Sequence, residues 1–243
     1  MAVTEYFVRY LQRRDQLSEA DIACLRAIPT SHACFRPGEV IVPRGRQATR
    51  SCMMLRGLSA RQHELAGRAG ERVITALHVP GDFVDLHGFV LAGLEHDVVS
   101  VGESEVEFVD HADLREITRN FPHLTRLLWM STAIDAAIHR QWLVAAASLR
   151  SAAHLAHLLC ELYTRLAGVG AAQDHRFILP LLQRELADIL GYTPIHVNRA
   201  VRDLRAEGLI RWIGSEVQII DWHWLARLAR FDPEYLELGR APR

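Results

Sequence analysis

The segment LLQRELADILGYTPIHVNRAVRDLRAEGLIRWIGSEVQII, residues 181–220, carries the clearest structural signals in the chain. Apolar residues spaced three and four apart predict a short helix, which Gly191 can end because glycine readily adopts a left-handed conformation. Thr193 is suited to cap a second helix, and Pro194 stands at its first position, where a missing N–H loses no hydrogen bond. The segment therefore predicts two helices joined by a tight turn.

The second helix is amphipathic, with an apolar face predicted to be buried and a polar face predicted to be exposed. Four apolar residues recur at helical spacing and are predicted to be buried: Val197, Ala200, Val201 and Leu204. On the opposite face, the Arg199 guanidinium matches the two acceptors of guanine, and the Asn198 amide can pair with adenine or a phosphate. Ile195 can offer only apolar contact, for example to a thymine methyl. The remaining candidates for contact with DNA, mainly with its phosphates, are Thr193, Gln183, His196 and Arg202.

A β-hairpin is predicted to follow the second helix. After Gly208 the chain becomes strand-like over residues 210–213, turns at Gly214 and Ser215, and continues as a strand over residues 217–220. A solvated amphipathic helix could carry the same polar residues, but the hairpin behind it is typical of a winged helix-turn-helix. The pattern favours sequence-specific binding to double-stranded DNA.

The composition predicts a soluble protein of two domains. The chain has 243 residues, 49% of them hydrophobic, and its net charge of −1 indicates no broad basic surface. No segment has the features of a signal peptide, and none approaches about 20 uncharged apolar residues, so we expect a cytoplasmic protein without membrane contact. The sequence contains no phosphate-binding glycine loop or nucleophile elbow, and no enzymatic activity is predicted.

Changes in sequence pattern divide the chain into four segments. Residues 1–29 have helical spacing, residues 30–115 alternate short β-branched runs with turns, residues 116–147 form a long helical stretch, and residues 148–243 contain the winged helix-turn-helix. The short strands predict a β-roll, similar to a jelly roll. The predicted fold class is α+β, with an N-terminal sensor-type β domain, a long helix and a C-terminal DNA-binding domain.

The long helix has a broad apolar stripe. Its members are Leu124, Leu127, Leu128, Ser131, Ile134, Ile138, Gln141, Trp142 and Ala145. A small domain can hardly cover a helix of this length, so the heptad-like spacing favours a homodimer whose long helices run parallel or nearly so. Packing against the chain's own β domain could account for part of the stripe. A hinge is predicted at residues 148–151, before the next helix.

The order of β-roll, long helix and winged helix-turn-helix resembles the Crp/Fnr superfamily of bacterial transcription regulators, from about residue 30 to residue 225. The resemblance rests on FRPGEVI at 35–41, PGDF at 80–83, ELADILG at 185–191, VNR at 197–199 and LRAEGLI at 204–210. It implies a cyclic-nucleotide-binding-like effector domain, a homodimer on a DNA pseudo-palindrome, and RNA polymerase as a partner. It also places Arg199 at the family's base-reading arginine.

Two departures from the family pattern concern the effector. In the cyclic-nucleotide-binding members a glutamate holds the ribose and an Arg with Ser or Thr holds the phosphate, whereas the corresponding positions here are Asp85, Leu86, His96 and Asp97. A phosphate beside Asp97 would be repelled, and Leu86 cannot bond a hydroxyl, so cyclic AMP in the usual pose is not expected. The clustered cysteines of the iron–sulfur members are also missing, which leaves the cofactor unknown.

The candidate effector pocket combines these positions with one more histidine and with part of the long helix. Its residues are Asp85, Leu86, His87, His96, Asp97, His139, Arg140 and Trp142. His63 and His78 add to the histidines of the β domain, but their spacing matches no metal motif, and no metal site is predicted. A second hypothesis remains, in which a small-molecule, redox or metal sensor acts on a protein partner. It is motivated by Leu182, which stands where a hydroxyl usually caps the first helix of the motif.

Overall fold

The computed structural model describes residues 3–46, 48–65 and 71–239. The outer ends of the first and last predicted segments lie outside these ranges. Two helices, a β domain, a long helix and a C-terminal domain of helices with a small sheet follow one another, which confirms the predicted mixed helix-and-sheet class. Within the described residues, no helix combines the length and apolarity needed to cross a bilayer.

Two short helices precede the β domain, α1 (Val3–Gln12) and α2 (Glu19–Ala27). The Ser18 hydroxyl accepts the Asp21 amide at 3.1 Å, and the Asp21 carboxylate accepts the Ser18 amide at 3.0 Å, so the first turn of α2 is capped from both sides. Phe7 and Leu11 of α1 and Leu25 of α2 are buried together with residues of the β domain and the long helix. The N-terminal segment is therefore part of the core.

The β domain is a roll of seven strands. They are β1 (Ser31–Phe35), β2 (Val40–Val42), β3 (Gly45–Arg46), β4 (Arg50–Glu64), β5 (Arg72–His78), β6 (Gly93–Leu94) and β7 (Asp97–Asp110). The main sheet has the order β1-β7-β4-β5, with β2 also on β7, and β3 pairs with β6; all pairings are antiparallel. Gly57 bends β4 at φ +78°, where an added Cβ would lie 2.3 Å from the Glu103 carbonyl oxygen.

Two helices connect the roll to the C-terminal domain, α3 (His111–Asn120) and α4 (Pro122–Ser148). The segment predicted as residues 116–147 contains the end of α3 and nearly all of α4. The two helices are separated at Phe121, because a residue that precedes proline disfavours helical backbone. Pro122 itself is well placed at the start of a helix.

The apolar stripe predicted to meet a second copy is covered by the chain itself, and that prediction was wrong for these residues. Six of its members are buried: Leu124, Leu127, Leu128, Ile134, Ile138 and Ala145. The other three, Ser131, Gln141 and Trp142, are half-buried. The roll, the N-terminal helices and the C-terminal segment surround this face, because the whole chain and not the roll alone folds against α4.

The C-terminal domain begins after a two-residue break at Leu149 and Arg150. Its elements are α5 (Ser151–Val169), β8 (Arg176–Ile178), α6 (Gln183–Leu190), α7 (Pro194–Ala206), β9 (Ile210–Ile213), β10 (Glu216–Ile219) and α8 (Trp222–Leu228). The three strands form an antiparallel sheet in the order β8-β10-β9. Leu77 and Val101 of the roll share one hydrophobic cluster with Leu159 of α5 and Leu204 of α7, so roll and C-terminal domain have a continuous core.

A buried ionic cluster lies where the roll meets α5. The Arg165 guanidinium donates to the Glu161 carboxylate at 3.0 Å, to the Asp82 carboxylate at 2.6 Å and to the Leu77 carbonyl at 2.8 Å. Burial alone would lower the pKa of Arg165, but the two carboxylates raise it, so the side chain stays charged. Glu161 also accepts hydrogen bonds from Trp142 on α4 and, at 2.8 Å, from the Tyr235 hydroxyl. The cluster therefore joins the roll, α4, α5 and the C-terminal segment.

Arg165→Leu is expected to lower the free energy of unfolding by about 3–5 kcal/mol, because it leaves the Glu161 carboxylate charged and buried without its cation. Arg119→Leu is the matched control, since the Arg119–Glu116 pair is exposed and its loss should cost no more than about 1 kcal/mol. Urea unfolding followed by circular dichroism measures both. Equal losses of unfolding free energy in the two variants would show that the buried cluster contributes no more to stability than an exposed ion pair does.

Candidate nucleic-acid interface

The first helix of the motif, α6, is held at both ends by local hydrogen bonds. Leu182 offers no side-chain acceptor, but its amide donates to the Glu185 carboxylate at 2.7 Å. Gly191 ends the helix at φ 68° and donates its amide to the Ala187 carbonyl at 2.9 Å. The leucine at the cap position thus does not prevent the helix from forming.

The second helix, α7, starts as the sequence predicts. The Thr193 hydroxyl accepts the His196 amide at 3.4 Å and lies 3.0 Å from His196 Nδ1, and Pro194 is in the first turn. Val197 and Leu204 are fully buried under the helix. Burial of that face fixes which side of α7 remains available to a ligand.

The outer face of α7 is open to solvent. Ile195 is 79% exposed, and Arg199 is 70% exposed with its Nε 3.9 Å from the Asp203 carboxylate. His196, Asn198 and Arg202 are exposed as well. An exposed ion pair at this distance is weak, so Arg199 can leave Asp203 for a stronger acceptor.

Gln183 on α6 and Asn198 on α7 form a reciprocal amide pair that the sequence did not reveal. Gln183 donates to the Asn198 oxygen at 2.7 Å, and Asn198 donates to the Gln183 oxygen at 2.6 Å. Each amide keeps one N–H and part of its oxygen's acceptor capacity for another partner. The pair connects the start of α6 to the outer face of α7.

The wing is attached to α7 by Arg205, whose guanidinium donates to the Trp212 carbonyl on β9. The Trp212 indole donates in turn to the Gly214 carbonyl at 3.1 Å, within the hairpin turn. A surface groove runs between helix and hairpin, and its polar lining consists of Gln183, Asn198, Arg199, Arg202 and Arg205. Three guanidinium groups in one groove suit a polyanion with acceptor-rich edges.

The residues proposed for an effector pocket do not all line one space. Asp85 is fully buried, and its carboxylate accepts the Cys52 amide at 2.6 Å; burial raises its pKa to about 7. Leu86 is buried in the cluster beneath the N-terminal helices. Asp97 is half-buried and accepts the Arg44 amide at 2.7 Å. Three of the eight candidates thus have structural contacts within the fold.

Three of the other candidates, His87, His96 and His139, lie near Arg61 of the roll, whereas the remaining two do not. His87 and His96 are neighbours, with ring centroids 5.4 Å apart, and burial lowers the pKa of His96 to about 4. His139 accepts a hydrogen bond from Arg61 of the roll at 2.7 Å. Trp142 donates to the Glu161 carboxylate on α5, and Arg140 is exposed on the outer side of α4, so neither joins the group of histidines at Arg61.

Comparison with known proteins supports the predicted resemblance. Residues 153–228 match the Crp-like helix-turn-helix domain. The chain is 28% identical over 165 residues to the transcriptional regulatory protein btr of Bordetella pertussis, covering 68% of both proteins. Residues 153–228 thus form a Crp-like helix-turn-helix domain. The comparisons support a transcription regulator of Crp/Fnr type, and the predicted resemblance is confirmed.

A further relative and a solved structure are also similar to this chain. The transcriptional activator protein anr of Pseudomonas aeruginosa is 26% identical over 161 residues, which is 66% of each protein, so the alignment leaves about a third of either chain unmatched. The structure of FixK2 from Bradyrhizobium japonicum superimposes with a TM-score of 0.73 at 21% identity, over 83% of this chain and 98% of that one. That likeness establishes the fold of the roll, long helix and winged domain together.

Asp85→Asn is expected to change how stability depends on pH. Because the pKa of Asp85 is about 7 in the folded protein and about 3.9 in an unfolded chain, folding favours its protonated form, and this contribution is lost as pH rises from 4 to 7. Asparagine keeps the acceptor for the Cys52 amide but never ionises. The variant should therefore gain roughly 1–4 kcal/mol relative to the parent between pH 4 and pH 8. Urea unfolding across this range measures the difference; a pH-independent difference would contradict the prediction.

Proposed function

We propose that the protein is a homodimeric, sequence-specific DNA-binding regulator that inserts α7 of each subunit into successive major grooves of a pseudo-palindrome. One observation carries the proposal: α7 is capped, backed by buried apolar residues and braced by the wing, while its opposite face is exposed and bears Arg199. Half-sites would be about 34–36 Å apart, one turn of DNA.

The exposed side chains have different roles in this proposal. Arg199 donates two hydrogen bonds to a guanine, while Asn198 and Ile195 adjust preference at neighbouring bases. Gln183 and Arg202 flank this face and bind phosphates. Thr193 and His196, joined at the start of α7, complete the phosphate contacts at the positive end of the helix. The groove between helix and hairpin supports these roles, since it contains most of these residues.

Selection from random DNA should enrich a pseudo-palindrome, and Arg199→Ala should relax preference at one base pair per half-site. The expected loss of affinity for the selected site is about 1–3 kcal/mol, because a guanine would lose its bidentate partner. Arg227→Ala is the control, since Arg227 is exposed on α8, which packs on α5. Enrichment of no palindrome, or an identical motif with the Arg199 variant, would count against the proposal.

Arg202→Ala is expected to weaken all DNA sequences to a similar degree and to reduce the salt dependence of binding by about one unit in slope. A phosphate contact releases counterions whatever the bases are, which distinguishes it from base reading. Fluorescence anisotropy at several salt concentrations measures both effects. If the DNA affinity of the unsubstituted protein does not vary with salt concentration, the alternative is favoured in which the domain acts on a protein partner.

The proposed dimer uses a face of α4 that differs from the stripe predicted from sequence. Six exposed residues repeat with alternating spacings of four and three: Trp129, Ala133, Ala136, Arg140, Leu143 and Ala147. Trp129 and Leu143 are 73% and 71% exposed, an unusual degree for large apolar residues on a helix whose other face is buried. Such spacing fits a second helix running parallel, and small alanines allow close approach. A second copy of α4 presents the same pattern.

Leu143→Glu should dissociate the dimer. In a parallel pair the two introduced carboxylates would face each other in an apolar seam, which should weaken association more than about 100-fold. Sedimentation equilibrium of the full chain measures the change. Trp224→Glu is the control, because Trp224 is 55% exposed on α8, outside the proposed seam. A dimer unaffected by Leu143→Glu, or a monomeric parent protein, would refute this interface.

Control by an effector would pass through the contacts between roll and long helix. Arg61 of the roll bonds to the Asp135 carboxylate at 3.1 Å and to His139, both on α4. A ligand in the roll that disturbed these bonds would shift α4 and hence the spacing of the α7 helices. Cyclic AMP in the usual pose does not fit this proposal, because Asp85, Leu86 and Asp97 already have partners in the fold. RNA polymerase is the proposed partner at the promoter.

A further inference from the structure

Two histidines and a glutamate meet at one end of the roll. Gln62 on β4 lies opposite Asp97 on β7, so the next positions of this register bring His63 and His96 together. Glu95 directly precedes His96. One ligand atom from each of the three side chains lies within 4.8 Å of the others. His63 is distant in sequence from Glu95 and His96, and it is the pairing of β4 with β7 that brings it to them.

His96 is the unusual member of this cluster. It is 99% removed from solvent, and neither of its ring nitrogens makes a hydrogen bond to the part of the chain that the structure describes. The Glu95 carboxylate lies 3.2 Å from His96 Nδ1 but outside hydrogen-bonding geometry. A buried imidazole without partners is costly, and buried polar groups in native proteins almost always have one. The missing partner is therefore expected at this site.

The other two side chains can adjust around His96. The His63 ring is half-buried, and its Nε2 lies 3.0 Å from the Thr75 hydroxyl, which holds the ring in the way that outer-sphere partners hold metal-bound histidines. The Glu95 side chain is 70% exposed and free to rotate toward His96. Tetrahedral coordination needs donor atoms about 3.3 Å apart, so a modest contraction of the cluster suffices.

The charges near the cluster favour a cation over an anion. Arg61 is a positive side chain close enough to act on His96, and the Asp135 carboxylate pairs with it at 3.1 Å. Glu95 adds a negative charge at the cluster itself. An anion would be repelled by Glu95, whereas a divalent cation would gain a carboxylate ligand.

We propose that His63, Glu95 and His96 bind a divalent transition-metal ion of the zinc class. Two imidazole nitrogens and one carboxylate oxygen are donors that such ions prefer, and hard oxygen-seeking ions such as Mg²⁺ and Ca²⁺ do not. Three protein ligands leave a fourth position open to water or a small ligand. The site lies in the roll, apart from the DNA-binding face, and the proposal does not depend on the function of α7.

Zn²⁺ binding to the full chain, produced without a histidine tag and freed of metal by a chelator, tests this proposal. Titration calorimetry is expected to show saturable binding of one ion per chain, and Co²⁺ should give visible absorption bands that Zn²⁺ abolishes. His63→Gln and Glu95→Gln should each weaken Zn²⁺ binding by at least about tenfold. Both side chains are partly accessible, so these substitutions spare the buried core.

His32→Gln is the matched control. His32 is also a histidine of the β domain beside a carboxylate, with Nε2 3.4 Å from Glu105, but it lies outside the cluster. Its substitution should leave Zn²⁺ affinity and the Co²⁺ spectrum unchanged. The proposal is overturned if the parent binds no ion saturably, or if His32→Gln weakens binding as much as His63→Gln does.

Discussion

The buried charge of Arg165 is the constraint on which the arrangement of the whole molecule depends. A guanidinium without solvent must find carboxylates, and this one finds Asp82 on the roll and Glu161 on its own helix. Glu161 in turn accepts from Trp142 and Tyr235. The directional bonds of one cation thus set the position of α5 relative to three other parts of the chain, where apolar packing alone would permit sliding.

The orientation of the exposed face of α7 depends on the ionic cluster around Arg165. α7 packs on α5, and α6 lies against β5, where Arg72 pairs with Asp188 at 3.0 Å. The exposed side of α7 is therefore oriented by the same core that holds the roll together. A change in the direction of α7 would have to break apolar and polar contacts together, so the alternative arrangements of a regulator must be few and distinct.

Local signals made the helix-turn-helix predictable, whereas contacts between distant segments could not be foreseen. Gly191, Thr193 and Pro194 act through backbone geometry within a few residues, and the structure has the ends of α6 and α7 where these residues predict them. α4 has two faces with large apolar residues, and either could be the one that the rest of the chain buries. The spacing of residues in the sequence does not distinguish them. The stripe predicted to meet a second copy is buried within the chain, whereas Trp129 and Leu143, which the sequence analysis did not single out, are exposed. The Gln183–Asn198 pair and the cluster at His96 depend on helix packing and strand register, which no local pattern encodes.

The amide pair between Gln183 and Asn198 has a thermodynamic consequence. The two hydrogen bonds hold the side chains to each other before any partner arrives, so part of their conformational entropy is already lost when a third group binds to them. The same restriction narrows the angles from which that group can approach, since each amide presents only its remaining hydrogen and lone pair. In the proposed complex with DNA, the paired amides would therefore accept fewer base sequences, and binding to those sequences would cost less conformational entropy.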